Sequence, residues 1–369
     1  MNNIYLCTPG PTPIPERVQD EMSKPILHHR SVEFQEIFAK VRRMINQMVH
    51  NDGETLLLSC SGSGGMEASV ASLLQQGDHV VIVESGKFGQ RWVELARRYE
   101  LKADVIKVPW GEAVNPQSIA EKLTSSTKAV LTQACETSTG VYHPIEKIGG
   151  LLQSHKDCLF FVDAITALGI HHIDMPKMHI DVLIGGSQKA LMCPPGVSTV
   201  CLSQRAIDRI KVSQSMYLSL EKELKTQRKD VAAFTPAITI IRGLRVALEM
   251  LEEEGFENVY RRHADLSRRV RAVFRKAGFP LFNEDAEAAH GITVVGPNLS
   301  WDVDTWLTTC KKQYGLWMAG GQEHLKGKIF RYAHMGHSHQ ESVDFTLDLL
   351  FTSLQSYIDV PSFESLIGE

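Results

Sequence analysis

Ile180-Asp-Val-Leu-Ile-Gly-Gly-Ser-Gln-Lys-Ala-Leu191 opens as an apolar, strand-like run from Ile180 to Ile184 and closes on small residues that carry a lysine, Lys189. Some twenty residues upstream, Leu159-Phe-Phe-Val162 is a second strand-like run, and it ends in an acid, Asp163. Taken singly, each has an ordinary reading. Most lysines that follow a strand are solvated, and most aspartates at strand ends cap turns or helices. Whether the two belong together depends on the fold around them.

Working outward, strand-like and helix-like stretches alternate. Residues 55–58, 79–83, 103–108, 128–132 and 197–202 read as strands. Helical patterns fill 66–74, 89–99, 116–123 and 144–155 between them. Near-continuous apolar strands in such alternation predict an α/β fold with a mostly parallel sheet covered on both faces. Ligands on these sheets bind beyond the carboxyl ends of the strands. Residues 1–15, with Thr8-Pro-Gly-Pro-Thr-Pro-Ile-Pro15, are expected to be extended. Residues 16–50 read as helix, with Phe34, Ile37, Phe38, Val41, Met44, Ile45 and Met48 along one face. The texture changes near residue 255, so a large domain is expected over 16–255 and a smaller α+β domain over 256–369. In the latter, 291–295 and 328–333 read as strands, and 302–314 and 343–357 as helices.

Bulk properties exclude several classes. The 369 residues are 43% hydrophobic and 22% charged, with a formal net charge of −4. No basic field suits nucleic acid or anionic lipid. No apolar run approaches the roughly 18 residues of a membrane span. The amino-terminal residues lack the charged-then-apolar pattern of a signal peptide. The seven cysteines are scattered and form no Cys-x-x-Cys pair, as expected of reduced thiols in a cytoplasmic protein. His334, His337 and His339 cluster, but no acid or cysteine stands at ligand spacing. A solvated loop is the expectation there, and no metal site is assigned.

The strand-end lysine and aspartate now gain a joint reading. Pyridoxal phosphate (PLP) needs a lysine to form a Schiff base with its aldehyde, and a carboxylate to keep its pyridine nitrogen protonated. Four further runs sit at plausible places. Ser61-Gly-Ser-Gly-Gly-Met-Glu67, between a strand and a helix, either binds one phosphate or is a tight turn. Phe88, in Ser85-Gly-Lys-Phe-Gly, either stacks on a flat ring or packs in the core. Glu136-Thr-Ser-Thr-Gly140 either offers a hydroxyl to a ring substituent or caps a turn. Arg331 shares a strand face with Ile329 and Ala333, and needs an anionic partner there. That partner is either a substrate carboxylate or a structural salt bridge.

Together these runs, with His29-Arg-Ser, Val162-Asp-Ala, Pro194-Pro-Gly and Gly327-Lys-Ile-Phe-Arg, resemble the class V aminotransferases of the fold type I PLP enzymes. The likeness is greatest to alanine–glyoxylate and serine–glyoxylate aminotransferases, and it spans nearly the whole chain. It implies a large PLP-binding domain, a small C-terminal domain, and a homodimer with the active site at the subunit interface. Lys189 is then the Schiff-base lysine and Asp163 the partner of the pyridine nitrogen. Ser61, Gly62, Ser63 and Gln188 hold the phosphate, Phe88 stacks on the ring, and Thr137 lies near the ring oxygen. Arg331 takes the substrate carboxylate, with Gly10 lining the same pocket. Thr235, in Phe234-Thr-Pro, reaches the phosphate of the neighbouring subunit; the tyrosine that some relatives carry three positions earlier is Ala232 here. The expected activity is a ping-pong transfer of an amino group from alanine or serine to glyoxylate or pyruvate. Two rivals remain. A desulfurase on the same fold needs a mobile nucleophilic cysteine, and the C-terminal third offers only Cys310. A non-catalytic dimeric scaffold has no use for both Lys189 and Asp163.

Overall fold

A computed structural model of the chain describes residues 3–213 and 215–368. Its centre is a seven-stranded sheet. In chain order the strands are β1 (Glu54–Leu58), β2 (His79–Glu84), β3 (Lys102–Lys107), β4 (Thr127–Gln133), β5 (Leu159–Asp163), β6 (Val182–Gly186) and β7 (Ser198–Leu202). Across the sheet they run β1-β7-β6-β5-β4-β2-β3. All neighbours are parallel except β7, which is antiparallel to both β1 and β6. The sheet is thus mostly parallel, and six carboxyl ends lie along one edge.

Every strand but the partly exposed edge strand β3 alternates between two apolar layers, because successive side chains point to opposite faces. Val80, Ile82, Leu131, Phe161 and Ile184 face one layer, shared with helices α3 (Gly62–Leu73) and α4 (Lys87–Arg98). Val81, Val83, Val130, Phe160 and Leu183 face the other, with Phe38 and Ile45 of the helix Val32–Met48 and Leu244 and Leu248 of Ile238–Glu254. Both faces are therefore dry, which is why these strands read as continuous apolar runs.

The expected single helix over 16–50 is two, α1 (Glu16–Ser23) and α2 (Val32–Met48). Pro25 is the cause. The residue before a proline is driven from helical to extended geometry, and Lys24 has φ −66° and ψ 155°. Ser31 restarts the helix by accepting a hydrogen bond from the Phe34 N–H.

Beyond the helix Phe256–Lys276, a small antiparallel sheet pairs β8 (Ile292–Val295) with β10 (Phe330–Ala333), and β10 with β9 (Ala319–Gly320). Phe330 and Tyr332 enter a separate apolar cluster with Phe274, Trp306 and Phe351. Ile329 and Ala333 pack instead with the large core. Arg331 shares their face, so the strand alternation aims its guanidinium toward the large sheet.

Candidate active site

The carboxyl edge of the sheet collects the side chains. β6 ends at Gly186, and a turn then carries Lys189, which is 9% exposed. Its amine donates to the Pro9 carbonyl. The extended N-terminal segment crosses this turn and is pinned to it, since the Thr12 hydroxyl donates to the Lys189 carbonyl at 2.8 Å. Gly10 lies against the lysine side chain. It has φ +118°, and a Cβ there would stand 2.5 Å from Lys189 Nζ. Only glycine suits both the backbone and the space. Burial pushes the Lys189 amine down to about 8; Cys135 and Asp163 oppose the shift, and Arg331 and Arg91 add to it.

Asp163 ends the adjacent strand β5 and is 4% exposed. Burial raises its carboxyl to about 6, against an Ile165 N–H that donates at 2.9 Å and the positive charge of Arg91. An acid and an amine, each buried and each pushed toward neutrality, thus occupy neighbouring strand ends.

After β1 the chain turns at Ser61 into α3. The first N–H groups of a helix have no intrahelical acceptor. Ser61 leaves them free, because its side chain makes no capping bond, and the first turn holds no acid. A Cβ on Gly62 would collide with Ile165, which also packs near Gly186 and the Gln188 amide. Gln188 Oε1 is buried with no hydrogen-bond partner. Free N–H groups and unused hydroxyls at Ser61 and Ser63 make a cradle suited to an anion, toward which the Gln188 amide would have to present its N–H and not its unsatisfied oxygen.

Phe88 stands in the first turn of α4, half-buried, with the Arg91 guanidinium 5.0 Å from its ring centre. Its backbone N–H is held by Glu136 at 3.1 Å, and the same carboxylate takes the Gly89 N–H at 3.0 Å. Glu136 is fully buried, and burial raises its carboxyl above the usual range despite these donors. Thr137 follows it; its hydroxyl donates to Thr166 Oγ1 at 2.8 Å.

Arg331 reaches this cluster from the small sheet. Nε donates to the Gly320 carbonyl at 3.0 Å and Nη1 to the Thr137 carbonyl at 3.2 Å. It is 6% exposed, and burial lowers it to about 10. Among the described residues no carboxylate lies within 4.0 Å of it. The structural salt bridge considered above is absent there, and the rest of the fork is free for an anion.

Thr235 is not in this cluster. It is exposed, and its segment is anchored where the Ala237 N–H donates to Ser59 Oγ at 2.9 Å. The three C-terminal histidines do not converge either. His334 is buried, contrary to the solvated loop expected, with Nε2 3.0 Å from Thr293 Oγ1. It continues β10, so it turns inward with the strand; His337 and His339 are exposed. Sequence reasoning also gave Glu136, Arg91 and the Pro9 carbonyl no role. Arg91 was within reach, since it stands three positions after Phe88 on one helix face. A buried carboxylate inside a Ser/Thr-rich run gives no such signal.

A family model, Aminotransferase class-V, matches residues 4–331. The chain belongs to the class V aminotransferases. A protein named soluble hydrogenase, small subunit, from Synechococcus sp. (strain PCC 6716) is 37% identical over 91% of this chain and 88% of its own length. The serine–glyoxylate aminotransferase of Methylorubrum extorquens is 30% identical over 90% of this chain and 86% of its own. The crystal structure of an alanine–glyoxylate aminotransferase from Nostoc sp. superposes with a TM-score of 0.90 at 27% identity, over 96% of this chain and 95% of that one. The fold is that of the fold type I PLP aminotransferases, and the chain is an enzyme of that PLP-dependent class.

Proposed function

We propose that this aminotransferase moves the amino group of a small amino acid, alanine or serine, to glyoxylate or pyruvate in two half-reactions that share one site. The observation that carries the reading is Arg331: a buried guanidinium, aimed at the Lys189 edge of the sheet, with no carboxylate within 4.0 Å among the described residues. A substrate carboxylate supplies the missing charge in both half-reactions, and the planar fork suits it.

The residues fit PLP. Gly62, Ser63 and Ser61 would hold its phosphate at the start of α3, with Gln188 beside them; Phe88 would cover the ring, and Thr137 would lie near its oxygen. When bound, PLP supplies an electron sink for the bond broken at the substrate α-carbon. Asp163 would keep the ring nitrogen protonated. Lys189 would bind the aldehyde and, once displaced, take the α-proton. An amine near 8 can both accept and return a proton at neutral pH. Glycine at position 10 leaves that amine room to move.

The serine–glyoxylate and alanine–glyoxylate names of the two relatives support the substrate class. Exposed Ile26, Val32, Met216 and Tyr217 support a homodimer, within which Thr235 would reach the second phosphate. Seven free thiols accord with a cytoplasmic setting. No helix of the described residues is long and apolar enough to cross a membrane. The desulfurase reading loses its nucleophile: Cys310 is buried, 3.2 Å from Ser353 Oγ, and burial pushes its thiol up to about 11. The hydrogenase name of the cyanobacterial relative finds no counterpart in the donor set, since the one His/Cys/Asp/Glu group of metal-binding geometry among the described residues contains no cysteine.

The test is a half-reaction panel. Holoenzyme is mixed with one amino acid and no keto acid, and one equivalent of keto acid is sought. Pyruvate from alanine or hydroxypyruvate from serine is expected. Sulfide from cysteine, with no keto acid from any small amino acid, overturns the proposal.

A further inference from the structure

A second cluster of ligating side chains lies away from this site. The connection from β5 to β6 carries His172 and Asp174, two residues apart. The Met175 N–H donates to the Val49 carbonyl at 3.0 Å, which fastens the connection to the end of the helix Val32–Met48. There His50 adopts a left-handed conformation, φ 52°. One ligand atom from each of His50, His172 and Asp174 lies within 4.8 Å of the others. The two imidazole rings meet edge to face, with centroids 5.8 Å apart, and Tyr260 flanks His172 at 5.7 Å.

We propose that His50, His172 and Asp174 bind one divalent transition-metal ion of the zinc type. The donor set decides the class. Two imidazole nitrogens and one carboxylate suit zinc and its neighbours, whereas magnesium and calcium require mainly oxygen ligands. Tetrahedral zinc with bonds near 2.0–2.1 Å places its ligand atoms about 3.4 Å apart. Closing from 4.8 Å falls to the two histidines, both exposed and free to rotate. Asp174 is the fixed partner. It is 3% exposed, and its Oδ1 is oriented by the Lys177 N–H at 3.1 Å. Among the described residues Oδ2 is met only by the Lys177 ammonium, at 2.8 Å, on a side chain that is 79% exposed. The ion displaces that ammonium and leaves its fourth position to water.

The position sets the role. His50 precedes the first residue of β1 by four, and the 172–174 connection is on its way to the start of β6. Both lie at the amino edge of the sheet, whereas Lys189 and Asp163 lie at the carboxyl edge. The ion therefore clamps a helix end to a connection and takes no part in transamination.

The test uses chelator-stripped holoenzyme, equilibrium dialysis against Zn²⁺ or Mg²⁺, metal analysis, melting curves and the transamination rate. Wild type should bind one Zn²⁺ per chain, ignore Mg²⁺, and melt higher with Zn²⁺. His50→Gln and His172→Gln should each weaken Zn²⁺ binding by about tenfold or more and abolish the melting shift. Both should retain wild-type turnover. The double variant of the exposed pair, His337→Gln with His339→Gln, should bind Zn²⁺ as wild type does. Lys177→Met should tighten binding by up to about fivefold, since it removes a competing exposed ion pair. Equal Zn²⁺ binding by wild type and His172→Gln overturns the site, as does loss confined to the His337/His339 variant or no binding by wild type. An ionic His–Asp cluster without metal would give that last result.

Discussion

Replace Arg331 by lysine. The guanidinium spends Nε on Gly320 at 3.0 Å and Nη1 on Thr137 at 3.2 Å. A guanidinium has five N–H donors, so a fork remains for a carboxylate. An ammonium keeps the charge but cannot hold both backbone anchors and the fork together. Removing one partner of a buried charged pair costs about 2–5 kcal/mol. Retained charge recovers part of this, so about 2–4 kcal/mol is expected, which is about thirtyfold to a thousandfold in kcat/KM. Both half-reactions should fall, because both substrates carry the carboxylate. Stability should change less. Two backbone hydrogen bonds are lost, about 0.5–1.5 kcal/mol each, while a cation that burial disfavours is relaxed. The assay compares single-turnover rates for alanine and for ethylamine, its analogue without the carboxylate. The variant should lose the alanine preference and leave ethylamine nearly unchanged, a cycle that isolates the carboxylate contact. An unchanged alanine-to-ethylamine ratio, with lowered melting temperature and cofactor occupancy, refutes the reasoning. Arg331 would then be a strut between the Thr137 turn and β9.

Lys189→Ala should abolish turnover, and borohydride should fix the cofactor to the wild-type chain at Lys189 alone; peptide mapping that finds label on another lysine refutes the assignment. Gly10→Ala places a Cβ against the Lys189 amine at φ +118°, so the rate should fall by about a hundredfold; an unchanged rate would mean that the N-terminal segment moves aside. Asp163→Asn should slow the alanine half-reaction by orders of magnitude, because a neutral amide cannot hold the ring nitrogen protonated. It should nonetheless stabilise the cofactor-free chain. The folded carboxyl sits at about 6 against an ordinary aspartate value of about 3.9. Between those values the folded state binds more protons, so wild-type stability falls as pH rises. Keeping that carboxylate ionised at neutral pH therefore costs the fold about 3 kcal/mol. The melting advantage of the variant should therefore grow from about pH 4 to pH 6 and then level off; a flat difference across that range would show that Asp163 is not strained by burial.

The sheet was legible because each strand reports its own environment. Leu159-Phe-Phe-Val162 is apolar at every position since both faces of β5 are covered, and that pattern survives without any partner in view. The break after Ser23 was also written locally, in Pro25, but a strong apolar stripe from Phe34 onward masked it. The site was legible only in part. Lys189 and Asp163 stand at strand ends, where one-dimensional order predicts three-dimensional proximity in a parallel sheet. Glu136 belongs to the same edge, yet its burial is decided by the Phe88 and Gly89 N–H groups that turn toward it, some 47 residues away in sequence. No local pattern encodes such a contact.

The same distinction explains why the site is costly as it stands. Lys189 is held at about 8, Asp163 at about 6, Arg331 at about 10, and Glu136 is raised, with desolvation the leading cause each time. Four ionisable groups are thus pushed toward neutrality in one region, where a stable core would place none. Arg331 makes no ion pair among the described residues, the buried Glu136 acting on it only at longer range, and the first turn of α3 holds no acid. Under the proposed function, a bound phosphate and a substrate carboxylate would supply the negative charges that these positions lack. Strained groups of this kind cluster at sites that bind and react. The clustering at the carboxyl edge, with the apolar layers intact behind it, marks that edge as the part of the sheet shaped by its ligands and not by folding alone.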